Sequence, residues 1–188
     1  MTARPLRSVY QIKVTLKYAR PPIWRRFLVA STVNLRDLHI ILQIVMGWTN
    51  SHLHDFVLGH ERYGEPNEEF FDDMKDESRY RLDQLLKREK DKLLYTYDYG
   101  DGWEHDVLLE KIMPFKHDMK LPQCIKGKRA CPPEDVGGIP CYAMFLEAIS
   151  DPSHPEYEDT TDWIGDDFDA EYLDIDEINT MLHRFAKR

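Results

Sequence analysis

The stretch Tyr95-Thr96-Tyr97-Asp98-Tyr99-Gly100-Asp101-Gly102-Trp103-Glu104-His105 decides how this chain is read. Tyrosines alternate with polar residues, then two glycines flank an aspartate, then Trp103, Glu104 and His105 resume the alternation. This is a β-hairpin with ionisable groups at its tip. Asp101-Gly102 suits a two-residue type I′ turn, in which both central positions need positive φ. With that loop, Gly100 faces Trp103, Tyr99 faces Glu104 and Asp98 faces His105. Facing residues have Cβ atoms only about 5 Å apart, so a carboxylate and an imidazole would be neighbours.

Working outward, residues 9–18 alternate. Tyr10, Ile12, Val14, Leu16 and Tyr18 point one way; Gln11, Lys13, Thr15 and Lys17 point the other. That is a half-buried strand with a basic outer face. Pro21-Pro22 interrupts it, and residues 23–30 (IWRRFLVA) form an antiparallel second strand. Asn34 is a helix N-cap with Asp37 at N3, and Gly47 suits the position after the last turn. Between them Leu35, Leu38, Ile41, Leu42, Val45 and Met46 make one apolar face. Ile40 and Ile44 lie on the other side, so a further element must cover the helix there; the acidic C-terminal segment is the expected cover. Residues 52–59 read as a third strand, 60–78 as a polar loop or irregular strand, and 81–86 as a short helix before the hairpin strands 93–99 and 103–112. The expected fold is α+β: a mixed, mainly antiparallel sheet in β-grasp-like β-β-α-β-β order with a long hairpin, plus a helical acidic C-terminal extension.

Residues 114–140, rich in Pro, Gly and Cys, read as a long ordered loop. Pro140 opens a helix bearing Tyr142, Phe145, Leu146 and Ile149. Residues 151–169 read as acidic and irregular, anchored by Trp163. Asp174 caps a last helix with Ile178, Met181, Leu182 and Phe185 as its stripe. The expected organisation is one domain, 1–188, with 8–113 as sheet and helix and 114–188 packed on it.

A chain of 188 residues can bury a real core. No apolar run reaches the roughly 20 residues of a membrane span, no apolar signal region follows the N-terminus, and three cysteines do not make a secreted disulfide scaffold. A cytoplasmic protein without a membrane partner is expected. The net charge is −9, unevenly spread. Residues 1–36 hold eight Lys/Arg and no Asp or Glu; residues 134–183 hold fifteen Asp/Glu and no Lys or Arg. The simplest account is that the two segments pack together and neutralise each other. Overall acidity argues against non-specific nucleic-acid binding, which leaves Lys13, Lys17, Arg25 and Arg26 as a local basic strip that could meet a phosphate backbone.

Four constellations could carry chemistry. His52, His54, Asp98 and His105 are candidate ligands of a divalent metal (Zn, Mn or Fe), since mixed imidazole and carboxylate donors suit those ions. The competing reading makes His54 a core histidine, His52 solvated, and Asp98–His105 an ordinary cross-strand pair. Cys124, Cys131 and Cys141 lack zinc-finger spacing, and nothing marks one thiol as activated. In Pro132-Pro133-Glu134-Asp135-Val136-Gly137-Gly138, Glu134 and Asp135 are either an extra ligand or base, or loop carboxylates that cap backbone N–H groups or meet Arg25 and Arg26. Trp24, Trp48, Trp103, Trp163 and tyrosines 95, 97 and 99 could stack bases but read first as core. No phosphate loop, dinucleotide fingerprint or nucleophile elbow occurs.

Ile23-Trp24-Arg25-Arg26, Met46-Gly47-Trp48 with His52-Leu53-His54-Asp55-Phe56, the hairpin from Tyr97 to His105, and Cys131-Pro132-Pro133-Glu134-Asp135-Val136-Gly137-Gly138, in that order, resemble the plasmid pRiA4b open-reading-frame-three-like family over about residues 8–186. The resemblance implies a bacterial or archaeal setting, often plasmids or mobile elements, and no settled activity, so it transfers no catalytic residues. The chain departs from the family pattern at Val136, where a cysteine is frequent, and at Cys141, where a glycine is usual. The resolvase-like label of some members finds no nucleophilic serine motif here. Three functions follow: first, a non-catalytic binding or interaction module of mobile-element or defence context with a protein or nucleic-acid partner; second, a metal-dependent hydrolase or nuclease using the His/Asp set; third, a DNA-binding accessory protein.

Overall fold

The computed structural model describes residues 8–66, 74–165 and 168–187. Its centre is an eight-stranded sheet in the spatial order β5-β4-β3-β6-β7-β1-β2-β8. The strands are β1 (Ser8–Leu16), β2 (Trp24–Ala30), β3 (His54–Leu58), β4 (Glu61–Gly64), β5 (Lys75–Asp76), β6 (Lys92–Tyr97), β7 (Trp103–Pro114) and β8 (Gln123–Lys128). Every pairing is antiparallel except β4 with β5. The helices are α1 (Leu35–Met46), α2 (Leu82–Leu85), α3 (Gly138–Ser150), α4 (Tyr157–Ile164) and α5 (Ile175–Phe185).

The period-two pattern translates directly into burial. Tyr10, Ile12, Val14 and Leu16 of β1, Phe27 and Val29 of β2, Tyr95 and Tyr97 of β6, and Trp103, Val107 and Leu109 of β7 are buried on the helix side. Tyr18 is an exception: it leaves the strand at φ 66 and is exposed. The opposite face carries paired charges. Lys17 binds Glu104, and Arg26 binds Glu110 through two nitrogens. Glu110 is an extra residue on β7, for Gln11 pairs with Lys111 and Ile12 with Leu109. Such a bulge re-aims a side chain, here toward Arg26 and Gln11.

α1 begins where Asn34 accepts the Asp37 N–H and ends at Gly47 with φ 103. Its buried face includes two polar residues, His39 and Gln43, four residues apart. α5 lies against α1 and β8, and Ile40 and Ile44 border a cavity shared with Met181 and Phe185. Asp174 caps α5 by accepting the N–H groups of Asp176 and Glu177. Tyr142, Phe145, Ile178 and Leu182 belong to the same buried cluster as the sheet residues.

Three expectations change. The hairpin loop is five residues, 98–102, because Tyr97 pairs with Trp103, Thr96 with Glu104 and Tyr95 with His105. Asp98 accepts the Gly102 N–H through its carbonyl at 2.6 Å, so the chain turns over a wider loop than Asp101-Gly102 alone would give. Residues 114–140 are not all loop: β8 lies within them and extends the sheet beside β2. Within the acidic stretch, residues 157–164 form α4, on which Trp163 is half exposed.

Candidate functional site

Three loops meet at one end of the sheet: 47–53 after α1, the hairpin loop 98–102, and 131–138. Physical contacts join them. Trp48 donates its indole N–H to the Pro132 carbonyl at 3.1 Å and packs on Tyr97, Trp103 and His105. Gly137 N–H donates to the Asp101 carboxylate at 3.0 Å. Gly138 has φ 79, and a side chain there would meet the Asp101 carbonyl at 2.5 Å. Only glycine allows that approach, so the Gly137-Gly138 pair is what lets the third loop seat on the hairpin tip.

The loop after α1 is held from inside by a closed ring of hydrogen bonds. Gln43 Nε2 donates to the Tyr95 hydroxyl at 2.9 Å. The hydroxyl lies 2.8 Å from His39 Nδ1, and His39 Nε2 lies 2.6 Å from Asn50 Oδ1. Asn50 N–H returns to Gln43 Oε1 at 2.9 Å. One proton assignment satisfies every member: Tyr95 donates to Nδ1, and a neutral His39 donates from Nε2. Burial, with His54 stacked on its ring at 3.4 Å, pushes the His39 pKa down to about 3, which keeps the imidazole neutral.

This frame presents His52. Its Nε2 lies 3.1 Å from Asp135 Oδ1, 3.7 Å from Asp98 Oδ2 and 3.7 Å from Glu134 Oε2. Donor atoms sharing a cation at about 2.0–2.2 Å stand about 3–3.5 Å apart. Donor atoms of His52, Asp98 and Asp135 all fall within 4.8 Å of one another. Glu134 is fixed by the Thr49 N–H and hydroxyl at 2.8 and 3.0 Å and by the Tyr97 hydroxyl at 3.2 Å. Burial and that carboxylate raise the Tyr97 pKa to about 12, so the phenol remains a donor. Asp98 and Asp135 both adopt left-handed backbone, φ 56 and 59, a conformation Asp tolerates better than most residues. The group thus gathers three carboxylates around one imidazole, with Asp98 nearly buried and Asp135 71% exposed.

The other predicted ligands go elsewhere. His105 is fully buried, with Nδ1 3.3 Å from the Tyr95 carbonyl and Nε2 without a hydrogen-bond partner among the described residues. Burial lowers its pKa to about 4. It faces Tyr95 across the strands, not Asp98, because the longer hairpin loop shifts the register. His54 turns toward Glu77, its Nε2 2.8 Å from a buried carboxylate oxygen. Both residues, with His39, His52, Arg36 and Asn50, border a cleft of about 500 Å³ next to the carboxylate group. His39 escaped sequence reading; its signal was a polar pair, His39 and Gln43, at helical spacing inside an apolar helix. Glu77 had no signal.

The basic strip also divides. Arg25 is on the core side of β2 and is buried, donating to the carbonyls of Val45, Trp24 and Lys128. Lys13 and Arg26 flank the Trp24 ring at 5.0 and 5.2 Å. Lys17 and Arg26 are already paired with carboxylates. Neither Arg25 nor Arg26 meets Glu134 or Asp135. Burial raises the Cys131 thiol pKa, and raises that of Cys124 as well.

Fold and site together define an α+β protein with a mixed, mostly antiparallel eight-stranded sheet and a histidine–carboxylate cluster at its loop end. The chain belongs to the plasmid pRiA4b ORF-3-like protein family, whose model matches residues 8–177. It is 37% identical over 183 residues to the uncharacterized protein y4hQ of Sinorhizobium fredii, covering 96% of this chain and 94% of that one. It is also similar to a crystal structure of a protein of unknown function, MM3350 from Methanosarcina mazei Go1. There the TM-score is 0.84 and the identity 39%, covering 92% of this chain and 98% of the other. These relatives are uncharacterised and show neither catalysis nor a specific role. Among the described residues, no helix is long and apolar enough to cross a membrane.

Proposed function

We propose that this chain is a binding module that holds a divalent cation, with His52, Asp98 and Asp135 as its ligands and Glu134 as a further carboxylate beside them. The observation that carries the proposal is the convergence of three carboxylates on one imidazole nitrogen at 3.1–3.7 Å. A cation relieves the mutual repulsion of those carboxylates, and the donor set suits Zn, Mn or Fe. His54 and His105, ligands by sequence expectation, lie outside this set.

The test is calorimetric titration of chelator-stripped protein with Mn²⁺ and Zn²⁺. Wild type and His54→Ala should bind near one equivalent, and His52→Ala/Asp98→Asn should lose it. Equal binding by wild type and the double variant would refute the proposal.

A second reading, metal-dependent hydrolysis, is favoured by the cleft of about 500 Å³ beside His52, which has room for a small substrate. Manganese-dependent turnover of an activated phosphodiester, lost in Asp98→Asn, is its expected signature. The DNA-binding reading is the least supported, since Arg25 is buried and Lys17 and Arg26 are already neutralised.

The shared buried cluster supports treating 1–188 as one domain, with a single unfolding transition expected. The β-grasp likeness rests on element order, with β1 between β7 and β2; a shared fold by itself carries no function. Cytoplasmic residence and a mobile-element setting are inferences from cysteine usage and family resemblance.

A further inference from the structure

We infer that the groove between α3 and α4 docks a basic peptide segment through an apolar anchor residue. The groove holds about 400 Å³ and is bordered by Val136, Cys141, Met144, Phe145 and Trp163. Phe145 is buried at its base and meets the edge of Trp163 at 6.0 Å. Met144 and Trp163 are 59% and 52% exposed. Two large, exposed apolar side chains bordering one cavity are the kind of surface that marks recognition sites, and Trp is a frequent anchor of interfaces. The volume suits one or two side chains, so the ligand is a short linear segment.

Charge selects the partner. The rim is Asp135, Glu156 and Asp159. Among the described residues, neither Glu156 nor Asp159 meets a Lys or Arg. Residues 134–183 supply no Lys or Arg, and α4 adds Glu158 and Asp162. Such a field attracts a Lys/Arg-bearing segment and repels nucleic acid, acidic peptides and anionic membranes. An apolar side chain inserted between Met144 and Trp163, with cationic neighbours over Glu156 and Asp159, satisfies both features.

Cys141 gives the experiment its reporter. It is exposed in the groove, whereas Cys124 is buried and Cys131 half-buried. Bimane attached to Cys141 would be titrated with three short peptides: amphipathic Lys/Leu, its Glu/Leu counterpart, and a Lys/Ser version without the anchor. Titrations in chelator keep the result independent of the cation site, which shares Asp135. The Lys/Leu peptide should saturate at micromolar concentration and weaken with salt. Lys/Ser should bind at least about tenfold more weakly, and Glu/Leu not at all. Glu156→Lys/Asp159→Lys and, separately, Trp163→Ala should each weaken Lys/Leu binding by about tenfold or more; because Glu156 and Asp159 stand at the start of α4 and Trp163 packs on Phe145, circular dichroism and the urea midpoint of each variant check that the helix is kept. Equal binding of Lys/Leu and Glu/Leu, or of Lys/Leu and Lys/Ser, would overturn the inference. So would an unchanged titration in both variants, or a signal that tracks protein concentration without peptide, which would place a second copy in the groove.

Discussion

Two histidines two residues apart, His52 and His54, meet opposite environments. His52 stands at the loop end among three carboxylates and keeps 29% side-chain exposure. His54 lies in a polar layer beneath it, stacked on His39 and bound to a carboxylate, Glu77, that is only 3% exposed. The hairpin repeats the contrast: Asp98 joins the cluster while His105, seven residues on, is sealed in the core. The same side-chain types thus do different work according to whether their partners are fixed by packing or left to face solvent. The lower layer closes its hydrogen bonds internally and holds the loop; the upper cluster has charge left over for a ligand.

The sharpest way to break this contrast is to disturb the buried side. Trp103→Ala, at a fully buried ring, should cost about 3–5 kcal/mol in urea unfolding, a loss no cluster substitution should approach. His54→Ala should cost about 2–3 kcal/mol because it leaves the buried Glu77 carboxylate without its imidazole, while cation binding persists. Stability similar to wild type would mean that the layer is not what holds the loop.

Acid should separate the layers as well. His39 and His105 have folded pKa values lowered to about 3 and about 4. The unfolded chain, with histidines near 6.5, therefore binds more protons through the interval between. Their stabilisation is complete above pH 6.5 and is lost as pH falls toward 4, at up to about 1.4 kcal/mol per pH unit for each histidine. Urea midpoints from pH 7 to 4.5 should show this slope, and His105→Phe should reduce the histidine part of it by about half, the His39 share remaining. A slope unchanged in that variant would contradict a buried neutral His105.

The smallest effects are expected on the outer face and in the cluster itself. Arg26→Ala and Lys17→Ala break partly exposed ion pairs and should each change stability by less than about 1 kcal/mol. Asp98→Asn preserves a residue type that accepts positive φ and should shift stability by about 0.5 kcal/mol or less. Its effect belongs in cation affinity, and a large stability loss with unaltered affinity would make Asp98 a structural residue.

Much of the architecture was legible along the chain. The alternation in β1 and β2, the Asn34 and Asp174 caps, and the Gly47 stop are local signals, because strand period and capping depend on residues within a turn or two of each other. Family membership was legible too, from motifs in fixed order. The site was legible as a set of residue types but not as a partition among them. Asp101-Gly102 suggested a turn correctly in place and wrongly in length, and one changed loop length moved His105 from Asp98 to Tyr95. β8 hid in a Pro-rich stretch because its partner, β2, lies about a hundred residues earlier and no local pattern records it. By itself the sequence determined an α+β chain with His, Asp and Glu concentrated near one hairpin. Only the tertiary structure decided which of them converge, since that depends on where loops 47–53, 98–102 and 131–138 meet, and on whether neighbouring groups shut out water.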